Sequence, residues 1–255
     1  MIVPLGVLAA QTYSHWETFW YVGGFVVWAP AYIAIVIIAV RKRRLEIPVI
    51  AVTANVTWEF LWGFVFRQNM GPGLQWVYRG ACILDLLILL AVFRLGRTQS
   101  LAPIYARYFN VVVVALLAGW IAFYWSLHSS NYDLPLGSMS AYLDNILMSG
   151  LYIWFVMTRA DPRDLSFTVA WSKGLGTGMV SVFVFMEYPD NAFIKTLAVM
   201  VGVLDFVYLV ALAVRLRQYR AAVGGEPQPG TEPPGVVVDL TRDGQDQKVG
   251  HLRRR

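Results

Sequence analysis

Three acidic residues fall near the middle of stretches apolar enough to lie in a lipid bilayer. They are Glu59 in IPVIAVTANVTWEFLWGFVF, Asp85 in VYRGACILDLLILLAVF and Asp205 in IKTLAVMVGVLDFVYLVALAV. A carboxylate in hydrocarbon costs several kcal/mol, about 2.5–3.5 on insertion scales. Acids kept at that cost point to proton transfer or ion binding in a pocket between helices. The competing reading, strongest for Asp85, is a structural hydrogen bond to a neighbouring helix.

The residues around these acids suggest which chemistry. Asn55 and Glu59 share a helix face at i,i+4, with Trp58 beside them and Trp62 one turn further on. Tyr208 lies one turn beyond Asp205, Asn145 and Ser149 share a face above Tyr152, and Trp120, Tyr124 and His128 form a stripe. A carboxyl held protonated in an apolar site is a general acid. Aromatic faces attract a cation by about 0.5–2 kcal/mol per ring. An acid ringed by Trp and Tyr therefore suits a reaction that starts with a proton and passes through a cationic intermediate. Taken singly, each Trp or Tyr reads more readily as packing.

Seven elements must position these groups. The chain has 255 residues, 57% hydrophobic and 15% charged, against about 25% charged for a soluble domain. Apolar runs alternate with short basic or polar links, which predicts an all-α polytopic membrane protein, a bundle of seven transmembrane helices. The spans are expected near residues 19–40, 47–66, 76–93, 108–127, 140–158, 167–186 and 194–214. Arg and Lys concentrate after the odd-numbered spans (Arg41 to Arg44, Arg94, Arg97, Arg107, Arg159, Arg163, Arg215, Arg217, Arg220). This places the N-terminus outside and the C-terminus in the cytoplasm. At 1.5 Å per residue, Glu59, Asp85 and Asp205 lie roughly 10, 13 and 16 Å below the outer boundary, so all three could line one cavity, with Asp144 and Asn145 nearer its mouth.

Residues 1–220 form the expected transmembrane catalytic domain. Residues 221–255, rich in Pro and Gly, read as a disordered cytoplasmic tail. The start of the chain has no basic segment before its short apolar run and does not read as a cleaved signal peptide. The single cysteine, Cys82, excludes an intramolecular disulfide, and the three histidines are too scattered for a metal cluster. No metal and no other cofactor is expected. The net charge of +5 is largely juxtamembrane Arg and Lys and does not imply nucleic acid. Gly174 and Gly178 give a small-xxx-small spacing suited to close helix packing.

At Asn55-Val56-Thr57-Trp58-Glu59-Phe60 the sequence resembles the small integral-membrane terpene cyclases of fungal meroterpenoid and indole-diterpene biosynthesis and their bacterial relatives. Supporting elements are Leu84-Asp85, Asn145-x-Leu147-Met148-Ser149 and Asp205. The resemblance covers about residues 1–220 and implies acid-initiated cyclisation of a prenylated aromatic, indole or polyketide-derived substrate through its terminal epoxide or alkene. It places the essential acids on Glu59 and Asp205. Asn55, Trp58, Trp62, Asp85, Asn145 and Tyr208 are expected to line the pocket. The implied partners are a small hydrophobic prenylated substrate, the lipid bilayer, and an upstream prenyltransferase and epoxidase. The many Arg relative to Lys favour a bacterial plasma membrane, with the endoplasmic reticulum the location in a eukaryote.

The chain has neither a DDxxD motif for a magnesium-bound diphosphate nor a DxDD motif of soluble proton-initiated cyclases. A small seven-span proton-coupled transporter is the alternative. Such proteins commonly show repeated halves and broken helices, and no repeat is evident here. A retinal protein needs a lysine in the middle of span 7, where Lys195 is only at the edge.

Overall fold

The computed structural model describes residues 13–99, 103–159 and 161–224. Among them there are seven long helices and no strand. Helix α1 (His15–Lys42) begins with a capping box. The Ser14 hydroxyl accepts from the Glu17 N–H at 3.2 Å, and the Ser14 N–H donates to Glu17 Oε2 at 2.6 Å. The helix stops at Arg43, whose φ of 51° is left-handed. Helix α2 (Val49–Phe60) follows Pro48 and widens into a π-helical turn, Leu61–Val65. Helix α3 (Pro72–Leu95) starts from Gly71, at φ 99°, with Pro72 in the first turn, where a missing N–H costs nothing.

A 3-10 turn at Gly96–Gln99 leads to α4 (Pro103–Ser129). Helices α5 (Ser138–Thr158), α6 (Phe167–Glu187) and α7 (Ala192–Gly224) complete the bundle, with a 3-10 turn at Pro162–Asp164 between α5 and α6. The seven helices fall on the seven expected segments. By length and composition, five are apolar enough to cross a membrane. The other two have physical reasons to differ. The α-helical part of α2 is short and mostly buried in protein, and α5 carries Ser138, Ser140, Asp144, Asn145 and Ser149. The chain is a multi-pass membrane protein. Helix α7 extends past the expected end at 214, and the segment from 225 to 255, expected to be disordered, lies outside the described residues.

Helix α2 is the centre of the bundle, with nine of its twelve residues buried. It packs on α3, α4 and α5, while α1 lies along α6 and α3, and α7 seals α5 to α6. The α1–α6 contact is the tightest. A Cβ on Gly24 would lie 2.8 Å from the Gly176 carbonyl oxygen, and a Cβ on Gly176 would lie 2.8 Å from the Gly24 carbonyl oxygen and collide with the Trp28 indole. The small-residue contact is thus Gly24 with Gly176. Of the Gly174–Gly178 pair expected to allow close helix packing, Gly174 faces α7, its would-be Cβ 3.5 Å from Asp205 Cβ, while Gly178 has nothing within 4 Å.

The basic residues meet at one end of the bundle and tie its loops together. Lys42 Nζ donates to the Arg163 carbonyl (3.2 Å), Arg159 Nη2 to the Leu45 carbonyl (2.9 Å) and Arg215 Nη2 to the Arg159 carbonyl (2.7 Å). Arg44 pairs with Asp164. Beneath them Glu46, in the α1–α2 loop, is fully buried and accepts from the Ser166 N–H.

Burial pushes the Glu46 carboxyl up from 4.5 to about 7, against the opposing effects of the Ser166 N–H, Lys42 and Arg159. The folded chain therefore holds this proton more tightly than the unfolded one. The resulting stability is full below pH 4.5 and is lost as pH rises through about 7. Between about pH 5 and about pH 7.5 the melting temperature in detergent should fall for the native chain, and Glu46→Gln should flatten that fall. Equal slopes for the two proteins would remove Glu46 as the cause.

Candidate active site

A cavity opens between α1, α2, α5 and α6. Helix α1 contributes Tyr21, Gly24, Phe25, Trp28 and Tyr32, a single face with spacings of three and four. Helix α2 contributes Asn55, Trp58 and Glu59, α5 contributes Ser138, Ala141, Tyr142, Asp144 and Asn145, and α6 contributes Thr177 and Val180. The wall thus holds two carboxyls, Glu59 and Asp144, among aromatic rings.

Glu59 is 1% exposed. Its Oε1 accepts from the Tyr32 hydroxyl at 2.7 Å, and its Oε2 has no partner among the described residues. The Tyr32 oxygen in turn accepts from Asn55 Nδ2 at 2.9 Å, and the same amide nitrogen donates to Asp85 Oδ2 at 2.6 Å. Because the Tyr32 oxygen is engaged as acceptor, its own hydrogen is free to point at Glu59. The i,i+4 spacing of Asn55 and Glu59 on a buried helix makes this chain from Asp85 to Glu59 possible.

The aromatic wall is fixed from behind. Trp28 Nε1 donates to the Thr177 hydroxyl (3.2 Å) and Trp58 Nε1 to the Ser140 hydroxyl (2.8 Å). Tyr142 and Ser181 share a hydrogen bond of 2.8 Å. Gly137, at φ 71°, caps α5, and a Cβ there would lie 2.9 Å from Trp58 Cζ2. A residue with a side chain would be strained at that φ and would also displace the indole.

The expected site residues divide between two places. Glu59, Asn55, Trp58 and Asn145 are on the cavity wall, and Asp144, expected nearer the mouth, is on it as well. The three acids do not line one cavity. Asp85 is buried behind Asn55, and Asp205 is paired elsewhere: Lys173 Nζ is 2.6 Å from Asp205 Oδ1, and the Ser149 hydroxyl lies 2.7 Å from both. Tyr208 packs on Tyr152, with ring centroids 5.0 Å apart.

Trp62 is also off the cavity wall. The π turn begins at Leu61 and widens the helix there, and the Trp62 ring joins Trp58, Phe66 and His128 in an aromatic cluster. The π turn leaves the Trp62 and Gly63 carbonyls without their usual partners. Gln75 and Arg79 of α3 supply them, at 2.8 and 2.5 Å for Gln75 and 2.9 Å for Arg79.

The wall residues Tyr32 and Trp28 and the buried Lys173 lay outside the expected set. Lys173 had a legible signal, a cation in the middle of an apolar span, the same kind of anomaly as the acids.

The whole bundle, not the cavity alone, agrees with a known family. Residues 8–218 match the model of the Pyr4-like transmembrane terpene cyclases. The chain belongs to this family. It is 22% identical over 171 residues to the Pyr4-family terpene cyclase mfmH of Annulohypoxylon moriforme, covering 64% of this chain and 69% of that protein. It is 22% identical over 193 residues to the terpene cyclase cle7 of Aspergillus versicolor, covering 71% and 79%. It is 25% identical over 162 residues to the terpene cyclase macJ of Penicillium terrestre, covering 60% of each chain. No solved structure matches it. The protein is therefore a membrane-embedded terpene cyclase, with relatives in fungal secondary metabolism.

Proposed function

We propose that this cyclase starts its reaction with a proton from Glu59 and needs neither a metal ion nor a diphosphate leaving group. The carrying observation is the Glu59 carboxyl on the cavity wall, one oxygen held by Tyr32 and the other without a partner, beneath Trp28, Trp58 and Phe25. The substrate class is a prenylated aromatic, indole or polyketide-derived molecule with a terminal epoxide or alkene.

In the epoxide case the proton passes from Glu59 to the oxirane oxygen and the carbon–oxygen bond breaks. The electrons of a neighbouring alkene close the ring, and a proton finally leaves carbon and returns to the Glu59 carboxylate, giving an isomer of the substrate and restoring the acid. The Tyr32 hydroxyl stabilises the carboxylate left behind, and the indole and phenol faces stabilise the migrating positive charge. Asn55 orients Tyr32, and Asp85 anchors Asn55.

The tied basic end faces the cytoplasm, which puts the N-terminus outside. The bacterial plasma membrane is the favoured location, with the endoplasmic reticulum the counterpart in a eukaryote. Residues 1–220 suffice for catalysis. A prenyltransferase and an epoxidase supply the substrate.

Membranes containing the chain, incubated with farnesylated and geranylgeranylated aromatic epoxides, should yield cyclised products of unchanged mass. EDTA should leave that yield intact and added magnesium should not raise it. A strict divalent requirement would count against this reading, as would uptake without isomerisation.

A further inference from the structure

We propose that Lys173 and Asp205 work as one neutral unit behind the cavity, in which Asp205 is the counter-charge of Lys173 and not a proton donor. The inference rests on the cyclase reading above. Both side chains are inside the bundle, 1% and 5% exposed, on facing turns of α6 and α7. Gly174 lets the two helices meet here, since its would-be Cβ lies 3.5 Å from Asp205 Cβ. The 2.6 Å contact and the shared Ser149 hydroxyl engage Asp205 Oδ1. Asp205 Oδ2 has no partner among the described residues, but Asp205 is absent from the cavity wall, where a proton donor has to meet its substrate.

Lys173 stands next to the reaction space. Its Nζ lies over the Trp28 ring, 5.6 Å from the centroid, and Trp28 is a cavity wall residue. An unpaired ammonium there would oppose any carbocation formed on the other side of the indole. Two unit charges about 8 Å apart at an effective dielectric near 20 correspond to about a 30-fold loss of rate. Asp205 cancels that field. Lys173 fixes Asp205 and Ser149 and stands behind the Trp28 ring, which makes it a positioning residue.

The test compares the native chain with Asp205→Asn, Lys173→Met and the double variant, purified in detergent. Melting temperature and cyclisation of the prenylated aromatic epoxides are both measured. Each single variant leaves a buried lone charge, and a loss of about 10 °C is expected for each. Asp205→Asn should also lower kcat by about 30-fold or more with little change in KM, because the opposed charge exists only during the reaction. The double variant removes both charges and should regain melting temperature and most of the turnover.

A double variant that is stable but still inactive would overturn the proposal and make the Asp205 carboxyl a chemical participant. If the native chain cyclises none of the epoxides, the cyclase reading fails by itself. The melting temperatures then decide the pairing alone, and a double variant no more stable than Asp205→Asn overturns it.

Discussion

Glu59→Gln should insert into membranes at native levels and cyclise at least about 100-fold more slowly, since positioned general acids contribute 10²–10⁴-fold. The substitution keeps the size of the side chain and its ability to accept from Tyr32 at 2.7 Å. What it removes is the transferable proton. Tyr32→Phe should cost less than Glu59→Gln, because the acid remains and loses only the donor that stabilises its carboxylate form. Asp85→Asn should cost least of the three, because Asp85 reaches Glu59 only through Asn55 and Tyr32. That ranking can be read from initial rates on one epoxide at equal membrane protein. Native turnover by Glu59→Gln would sink the assignment of the acid.

Gly176→Leu should abolish accumulation of folded protein, and Gly176→Ala should cost about 1–3 kcal/mol, the usual penalty of overpacking a tight contact. The added carbon collides first with the Trp28 indole, and behind it meets a backbone oxygen of α1 at 2.8 Å, which no rotamer change relieves. Any separation of α1 from α6 also shifts Trp28, so Gly176→Ala should lose turnover along with stability. Gly178→Ala is the control. Its added methyl meets nothing within 4 Å, and alanine favours a helix over glycine by about 1 kcal/mol. Thermal unfolding in detergent, with membrane abundance measured beside it, separates the two positions. Equal effects at both would mean that the close α1–α6 contact does not hold the bundle.

The helices were legible because a bilayer leaves few choices: long apolar runs with basic ends read directly as spans. Glu59 and Asn55 were legible for a related reason, since polar groups at i,i+4 in an apolar run are hard to explain otherwise. Lys173 obeys the same logic and could have been found with the acids. Tyr32 could not, because a tyrosine in a span is unremarkable until the fold brings it to a carboxyl 27 residues away. Trp62 lies one turn beyond Glu59, but its ring packs among Trp58, Phe66 and His128, partners that only the fold brings together. The Gly24–Gly176 contact was not legible, because a spacing within one helix does not show which register the partner helix adopts.

The solitary cysteine has a practical consequence. Cys82 is 1% exposed in the middle of α3, and the 255-residue chain has no other thiol. A thiol reagent that cannot cross membranes therefore meets no native target. A cysteine placed at exposed Ser130 at one end, or at exposed Arg217 at the other, would be modified alone, and its labelling in sealed vesicles reads out which side of the bilayer each end of the bundle occupies.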